Sequence, residues 1–557
     1  MLRHDYPQPC FIRKRWAPLN GQWDFEIHDP AFSKEHYLDC KYSKTIEVPF
    51  APGTLLSGVD TPCHVDSVWY KRTINLSARD INGRIHLNFL ASSTYTDIYL
   101  NGQHIGLHTG GNSPFCIDIT NSAIVGPNIL IINNYCTSIN NHSSINKNCI
   151  CGLWKSVWLE FSDEATLWGL GTSIHTDGKS VFLHGMILGE IDGHILVTIN
   201  FNGIDLGSFK YVAQRRFILT IPLKLPIELW QVGNPKIYDF EISLRNKEGI
   251  IVDAVKTYFA FRTVRFVGGD LLVSDKKLRI RGINFPSQYT DSGKTAPSLA
   301  VIRQDISVAV SLGFNTLMVQ GVAEPALRCF ADRLGLILIE SSIPYDSRME
   351  DRNERKYIVN EWAEIINSSF NSPSIIFRQP LFKYCGDESA TNLMYSTTRT
   401  SDPARLILSG GGLVYNGVDA IEYTSIDATP ENVLQLLLAN ENGFFKSERQ
   451  EHAFRKSNPT FATTQTIASK PKLLSAFDCG SVSYRSVSNE YYFIKRFSDI
   501  IQAADSANAI GTVYHSLTDT PFKDTGILTM HREMKLSRNA IDSIFKINTT
   551  EHKGKTT

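Results

Sequence analysis

Leu278-Arg279-Ile280-Arg281-Gly282-Ile283-Asn284 has the make-up of a buried strand, and the segments that follow it decide the fold. Residues 300–312 carry Ile302, Ile306 and Val310 at helical spacing. Thr316-Leu317-Met318-Val319 is a second short apolar run. A helix through Phe330 and Leu334 comes next, then Leu336-Ile337-Leu338-Ile339-Glu340. Another helix precedes Ser374-Ile375-Ile376-Phe377. Arg405-Leu406-Ile407-Leu408, Lys472-Leu473-Leu474-Ser475-Ala476-Phe477 and Ile510-Gly511-Thr512-Val513-Tyr514 continue the series. Short buried strands alternating with helices are the pattern of parallel strands joined by crossover helices. Over residues 265–557 it predicts a C-terminal (β/α)8 TIM barrel, whose chemistry belongs at the C-terminal ends of the strands.

Upstream the rhythm is different. Residues 1–162 hold short strand-like runs: Gly21-Gln22-Trp23-Asp24-Phe25-Glu26-Ile27, Ser67-Val68-Trp69-Tyr70-Lys71-Arg72, Arg84-Ile85-His86-Leu87-Asn88-Phe89, Thr96-Asp97-Ile98-Tyr99-Leu100 and Ser156-Val157-Trp158-Leu159-Glu160. Asn101-Gly102 directly after one of them is a hairpin signal. A jelly-roll β-sandwich is the expectation for this region. Residues 137–148, rich in Asn and Ser, read as an exposed loop. Residues 163–264 again show short strands, such as His194-Ile195-Leu196-Val197-Thr198-Ile199 and Tyr238-Asp239-Phe240-Glu241-Ile242. Their number and spacing suit an immunoglobulin-like β-sandwich. The chain is thus read as a multidomain β plus α/β protein.

Composition sets bounds on function. The chain has 557 residues, enough for three or four domains, and 42% of them are hydrophobic, which excludes a wholly disordered chain. Lys and Arg number 56, as do Asp and Glu, so the formal charge is zero and offers no electrostatic footprint for nucleic acid or an anionic membrane. No run approaches the ~18–20 apolar residues of a membrane span. The N-terminus lacks the apolar segment of a secretory signal, so a cytoplasmic protein is expected. The ten cysteines, at 10, 40, 63, 116, 136, 149, 151, 329, 385 and 479, contain no C-x-x-C pair. Cys149 and Cys151 are too close in sequence for a zinc knuckle. The expectation is free thiols in a reducing compartment, with no metal and no cofactor.

A chain of short motifs, in order, resembles glycoside hydrolase family 2, which includes β-galactosidases and β-glucuronidases. Leu19-Asn20-Gly21-Gln22-Trp23 resembles the family's opening strand. Val68-Trp69-Tyr70-Lys71-Arg72 and Leu100-Asn101-Gly102-Gln103-His104-Ile105-Gly106 resemble its sugar-binding jelly roll, and Gly152-Leu153-Trp154-Lys155-Ser156-Val157-Trp158-Leu159 the exit from it. Phe259-Ala260-Phe261-Arg262 resembles the junction into the barrel, and Arg281-Gly282-Ile283-Asn284 the first barrel strand. Ala331-Asp332-Arg333-Leu334-Gly335-Leu336 and Asn371-Ser372-Pro373-Ser374-Ile375-Ile376 continue the match.

The resemblance implies two Glu residues, an acid/base and a nucleophile, at the ends of the fourth and seventh barrel strands, ~5–5.5 Å apart for retaining hydrolysis. Without gaps, the acid/base position falls on Lys383 and the family's Trp position on Arg378. The nucleophile position falls on Ala476. Lysine cannot protonate a leaving oxygen as a carboxylic acid does unless its pKa is depressed by several units, and alanine has no nucleophile. A second register keeps two carboxylates. Gly386-Asp387-Glu388-Ser389 resembles the galactosidase Gly-Asn-Glu-Ser, and Asp478, two residues past Ala476, stands in for the nucleophile. Glu388 is more simply read as a first-turn helix residue stabilised by the dipole, since the second register needs an insertion offset by a shorter loop. On the second strand the family's Arg and His positions hold Met318 and Gln320. Asn284, Gln320, Glu340, His515 and Asp519 lie at or near strand ends and are the candidate substrate-binding residues.

Two functions follow from the two registers. One is a family-2-like pseudoenzyme that binds carbohydrate, or a barrel turned to another reaction. The alternative is an active retaining β-glycosidase using Glu388 as acid/base and Asp478 as nucleophile. Either has a carbohydrate or other small molecule in the barrel pocket, and either is compatible with a homo-oligomer.

Overall fold

A computed structural model of the chain describes residues 3–550 except 28–40, 62–64, 66, 136–150, 175–178, 224, 343–350, 382–387, 411–416, 425–427, 439–469, 481–486 and 521–522. The loop expected at 137–148 lies outside the described residues, as does Lys383.

The N-terminal strands form two facing antiparallel sheets. One has six strands in the order Lys44–Val48, Gly21–Ile27, Ser67–Leu76, Gly126–Tyr135, Tyr95–Leu100, Gln103–Thr109. The other has four, Trp16–Pro18, Val157–Ser162, Arg84–Phe89, Phe115–Asp118. Their inward residues, among them Trp23, Phe25, Tyr70, Leu87 and Ile132, make one core. The expected hairpin is present: Tyr95–Leu100 pairs with Gln103–Thr109. Asn101 and Gly102 between them have φ of 51° and 84°, the positive values a type I′ turn demands and that Asn and Gly adopt at least cost.

A second sandwich packs a three-stranded sheet, Thr166–Ile174, Ser180–Leu188 and Arg216–Pro222, against a five-stranded one. The outermost strand of the latter is Phe11–Arg13, from the chain's start, paired antiparallel with Ile251–Phe259. The two sandwiches are therefore threaded through each other by the N-terminal segment.

Eight parallel strands close the barrel: Ile280–Phe285, Thr316–Val319, Ile337–Ser341, Ile375–Gln379, Leu406–Ser409, Ala420–Thr424, Lys472–Phe477 and Gly511–Tyr514. The sixth of these is absent from the sequence reading above. A small sheet ahead of the barrel, Val264–Val267, Asp270–Val273 and Lys276–Leu278, sends Leu271 and Val273 into one core with Ile280, Ile337, Ile376, Leu473 and Val513. The lower barrel is thus filled with aliphatic side chains, and polar chemistry is left to the upper end. The first barrel helix, Leu299–Ser311, buries Ile302, Asp305, Ile306 and Ala309, while Val310 is exposed. Its inner stripe follows i, i+4, i+7 from Ile302, one residue short of the expected Val310. No helix among the described residues is long and apolar enough to cross a membrane.

Candidate active site

Period-two alternation along the barrel strands decides which side chains reach the lumen. On the fourth, sixth and seventh strands, Phe377, Ala420 and Leu473 belong to the lower core. Two residues further along each strand stand Gln379, Glu422 and Ser475, all at most 1% exposed. They form a connected polar layer. Gln379 Nε2 donates to Glu422 Oε2 at 2.5 Å and lies 3.4 Å from the Ser409 carbonyl, and Ser475 Oγ donates to Glu422 Oε1. Glu422 is a carboxylate inside the barrel that sequence reading passed over. Its signal was one acidic residue in the otherwise apolar run Ala420-Ile421-Glu422-Tyr423, which follows Val418-Asp419.

Around this layer several buried polar atoms have no hydrogen-bond partner among the described residues. They include Asn284 Oδ1, Gln379 Oε1 and Ser409 Oγ. Buried acceptors without partners are uncommon and costly, on the order of 1–3 kcal/mol each, and mark places where a ligand or water completes the network. Asn284, next to last in the first strand, is 6% exposed, and its carbonyl accepts from Leu517 N at 3.1 Å, which ties it to the loop after the eighth strand.

The seventh strand carries a local irregularity. Its register with the eighth strand shifts between Leu474 and Phe477, and Ala476 adopts φ 51°. A left-handed alanine costs roughly 1–2 kcal/mol, and such backbone positions cluster at functional sites. The bulge breaks the alternation that would put residues 476 and 478 on one face. Asp478 follows the strand end at 3% exposure. Its Oδ1 accepts from Gly480 N at 3.3 Å, and its Oδ2 lies 3.6 Å from Lys523 Nζ. Cys479, next to it, has its thiol pushed up by burial, which removes it as a thiolate nucleophile.

The remaining candidates divide. Glu388 is the first residue of the helix Glu388–Ser401, and its carboxylate is not among the described side chains. Gln320 is exposed just past the second strand. His515 follows the eighth strand, with its amide donating to the Phe477 carbonyl at 2.8 Å. Glu340 does not point into the lumen. Its neighbours Ile337 and Ile339 do, so alternation turns it outward to the helices. There Arg328 Nε donates to its Oε1 and Arg378 Nη1 to its Oε2, both at 2.8 Å. Arg378, in the family's Trp position, also bonds Asp402 at 3.1 Å, and Asp402 pairs with Arg405 at 2.8 Å. Burial, and Arg405 nearby, bring the Arg378 guanidinium down to about 10 against the pull of Glu340 and Asp402. Asp519 is engaged by Lys535 Nζ at 2.8 Å and Gly526 N at 2.9 Å, and so braces the loop after the eighth strand. The geometry gives Glu340 and Asp519 structural work and leaves Asn284 closest to a substrate-facing role.

Two sandwiches followed by a closed parallel barrel with a polar layer at its upper end define a class: the multidomain glycosidase-like proteins. Comparisons with known proteins narrow it. The family description "Glycosyl hydrolases family 2, sugar binding domain" matches residues 7–159, and "Glycosyl hydrolases family 2" matches residues 199–262. A putative beta-glucuronidase of Formosa agariphila is 26% identical over 322 residues, covering 55% of this chain and 39% of that protein. A beta-galactosidase of Kluyveromyces lactis is 20% identical over 468 residues, covering 72% and 44%. The chain spans about two fifths of the length of these curated relatives. Among solved structures, a β-glucuronidase of Ruminococcus gnavus in complex with D-glucuronic acid superposes with a TM-score of 0.75 at 17% identity, covering 98% of this chain and all of that one. A GH2 beta-galacturonidase of Eisenbergiella tayi bound to galacturonate gives 0.72 at 18% identity, covering 98% and 99%. Two segments of the chain thus match glycoside hydrolase family 2 descriptions, and its fold is similar to that of these solved glycosidases.

Proposed function

We propose that this protein is a family 2 barrel that has lost ordinary β-glycoside hydrolysis and uses its pocket to bind a carbohydrate or other small molecule, or to run a different reaction on one. The feature that supports this reading is Ala476, which in the ungapped alignment with the family motif takes the position of the nucleophilic carboxylate of a retaining glycosidase. Asp478 is a poor substitute. It lies beyond the bulge, is tied to Gly480 and faces Lys523. A nucleophile one methylene shorter and on a displaced backbone misses near-attack geometry by enough to cost orders of magnitude in rate. The other half of the replaced pair, Lys383, rests on the ungapped sequence alignment alone.

The pocket keeps features of a binding site. Asn284 Oδ1 and Gln379 Oε1 are buried acceptors that a hydroxyl-rich ligand would satisfy, and Glu422 holds the amide and hydroxyl beneath them. Zero net charge fits a small-molecule partner better than nucleic acid or membrane.

The test is turnover of aryl β-glucuronides, β-galactosides and β-galacturonides, the substrate types named for the related proteins. General acid catalysis alone is worth ~100- to 10,000-fold, so a barrel without both carboxylates should be at or near background. Ordinary turnover abolished by Glu388→Gln or Asp478→Asn would overturn the proposal and establish the active retaining enzyme. Saturable binding of a sugar or sugar acid without turnover supports the binding role.

A further inference from the structure

Cys10 immediately precedes Phe11–Arg13, the strand that the N-terminal segment adds to the second sandwich. Its carbonyl accepts from Thr257 Oγ1 at 2.7 Å, which fixes the backbone there. Its side chain reaches the barrel. Cys10 Sγ lies 3.6 Å from the Pro325 carbonyl, in the first turn of the helix Pro325–Leu334. Cys329 stands one turn along that helix from Pro325, on the same face, close enough that each thiol shifts the titration of the other. Tyr258 Oη sits 3.3 Å from Cys10 Sγ and donates to Asp332 on the same helix at 2.7 Å. Two cysteines 319 positions apart in sequence thus meet across the boundary between a sandwich and the barrel.

The junction is also accessible. Cys10 borders a cavity of about 510 Å³ where both sandwiches meet the barrel, lined among others by Arg13, Trp154, Trp168 and Glu324. Cys329 is buried and does not border that cavity. Its thiol is drawn down to about 7, chiefly by the hydrogen bond from Cys10, with Tyr258 and Arg333 also lowering it and burial opposing. The same hydrogen bond, and burial, push the Cys10 thiol up.

We propose that Cys10 and Cys329 form a thiol–disulfide exchange site, which accepts a low-molecular-weight disulfide from the cavity and closes into an internal disulfide joining the second sandwich to the barrel. In the first step Cys10 gives its proton to solvent in the cavity and its sulfur attacks one sulfur of the small disulfide. A mixed disulfide forms, and the first small thiol leaves as thiolate. In the second step Cys329, deprotonated, attacks the Cys10 sulfur and expels the second small thiolate. Two protein thiols are oxidised by two electrons, one disulfide is reduced to two thiols, and the two protons given up by the cysteines end on them. A dithiol in excess reverses the sequence. The site is independent of the barrel pocket and of any activity there.

The experiment exposes the folded full-length chain to excess oxidised glutathione, alkylates remaining thiols in denaturant, and maps non-reduced peptides by mass spectrometry. The expected product is a Cys10–Cys329 peptide pair, two hydrogens lighter than the free peptides and split by dithiothreitol, with a melting temperature raised by several degrees before reduction. Cys329→Ser should stop the reaction at glutathione on Cys10, and Cys10→Ser should yield no joined pair. Recovery of both cysteines as alkylated peptides from the wild type would overturn the proposal. So would a joined pair that forms only in the unfolded chain, or a Cys329→Ser chain with no glutathione on Cys10.

Discussion

Arg378 shows how much one buried side chain is asked to do. It is fully buried on the fourth barrel strand, with Glu340 on one side and Asp402 on the other. Replacing one member of such a pair leaves an uncompensated charge, and that, more than the lost attraction, makes the change expensive. Arg378→Met, similar in length and neutral, should cost about 3–5 kcal/mol and lower the urea midpoint accordingly. A change below ~1 kcal/mol would mean that Glu340 and Asp402 are held by Arg328 and Arg405 without it. The residue scale is also where the sequence misled most. Glu340 at a strand end has the look of a ligand-facing acid. Counting inward from Ile337 and Ile339 turns it to the helices, and that parity needs the strand's register, which one sequence does not fix.

At the scale of single elements, seven of the eight barrel strands were legible as apolar runs, and the sixth was not. Ala420–Thr424 has an acid at its centre and Asp419 directly before it, so it shows no apolar run longer than two residues. That strand carries the carboxylate on which the polar layer depends. Glu422→Leu removes the acceptor for Ser475 Oγ and leaves Gln379 Nε2 only the longer contact to the Ser409 carbonyl, and should cost about 2–5 kcal/mol. Glu422→Gln keeps the shape and one acceptor and should cost less than half of that. Equal losses in chemical denaturation would show that charge, rather than hydrogen bonding, is what the layer needs.

The helix Leu299–Ser311 makes a second prediction at this scale. Burial raises the Asp305 carboxyl to about 6, with Arg532 opposing. The native state therefore favours the protonated acid more than the unfolded chain does. The stability this group contributes is fully present below the unfolded value of about 3.9, and is lost as pH rises through about 6. Asp305→Asn, permanently neutral, should gain on the wild type between pH 4 and pH 7.5, by about 3 kcal/mol at most. A difference in urea midpoint that does not change with pH would contradict this. The expected stripe missed Asp305 because helical spacing was counted through Val310, an apolar residue that faces solvent.

Across the whole molecule, the order sandwich, sandwich, barrel was readable because each architecture has its own hydrophobic period. How the parts hold together was not readable, because the ties join residues far apart in sequence. Arg13, 3% exposed, donates to Glu160 of the first sandwich at 2.6 Å and to Asp253 of the second at 3.2 Å. Glu324, at the start of a barrel helix, takes Arg3 and lies 3.6 Å from Lys155 of the first sandwich. These clusters share no residue. Each should cost about 3–5 kcal/mol when its central charge is removed, by Arg13→Met or Glu324→Gln, because charged partners stay buried. Without shared partners the losses should add to within ~0.5 kcal/mol in the double variant. Calorimetry distinguishes this coupling from simple local damage. Arg13→Met frees the two sandwiches from each other, and Glu324→Gln frees the first sandwich from the barrel, so the double variant should resolve into separate transitions where the wild type unfolds with its parts overlapped. A single sharp transition, shifted but not split, would place the coupling in the apolar interfaces and the threaded N-terminal strand instead.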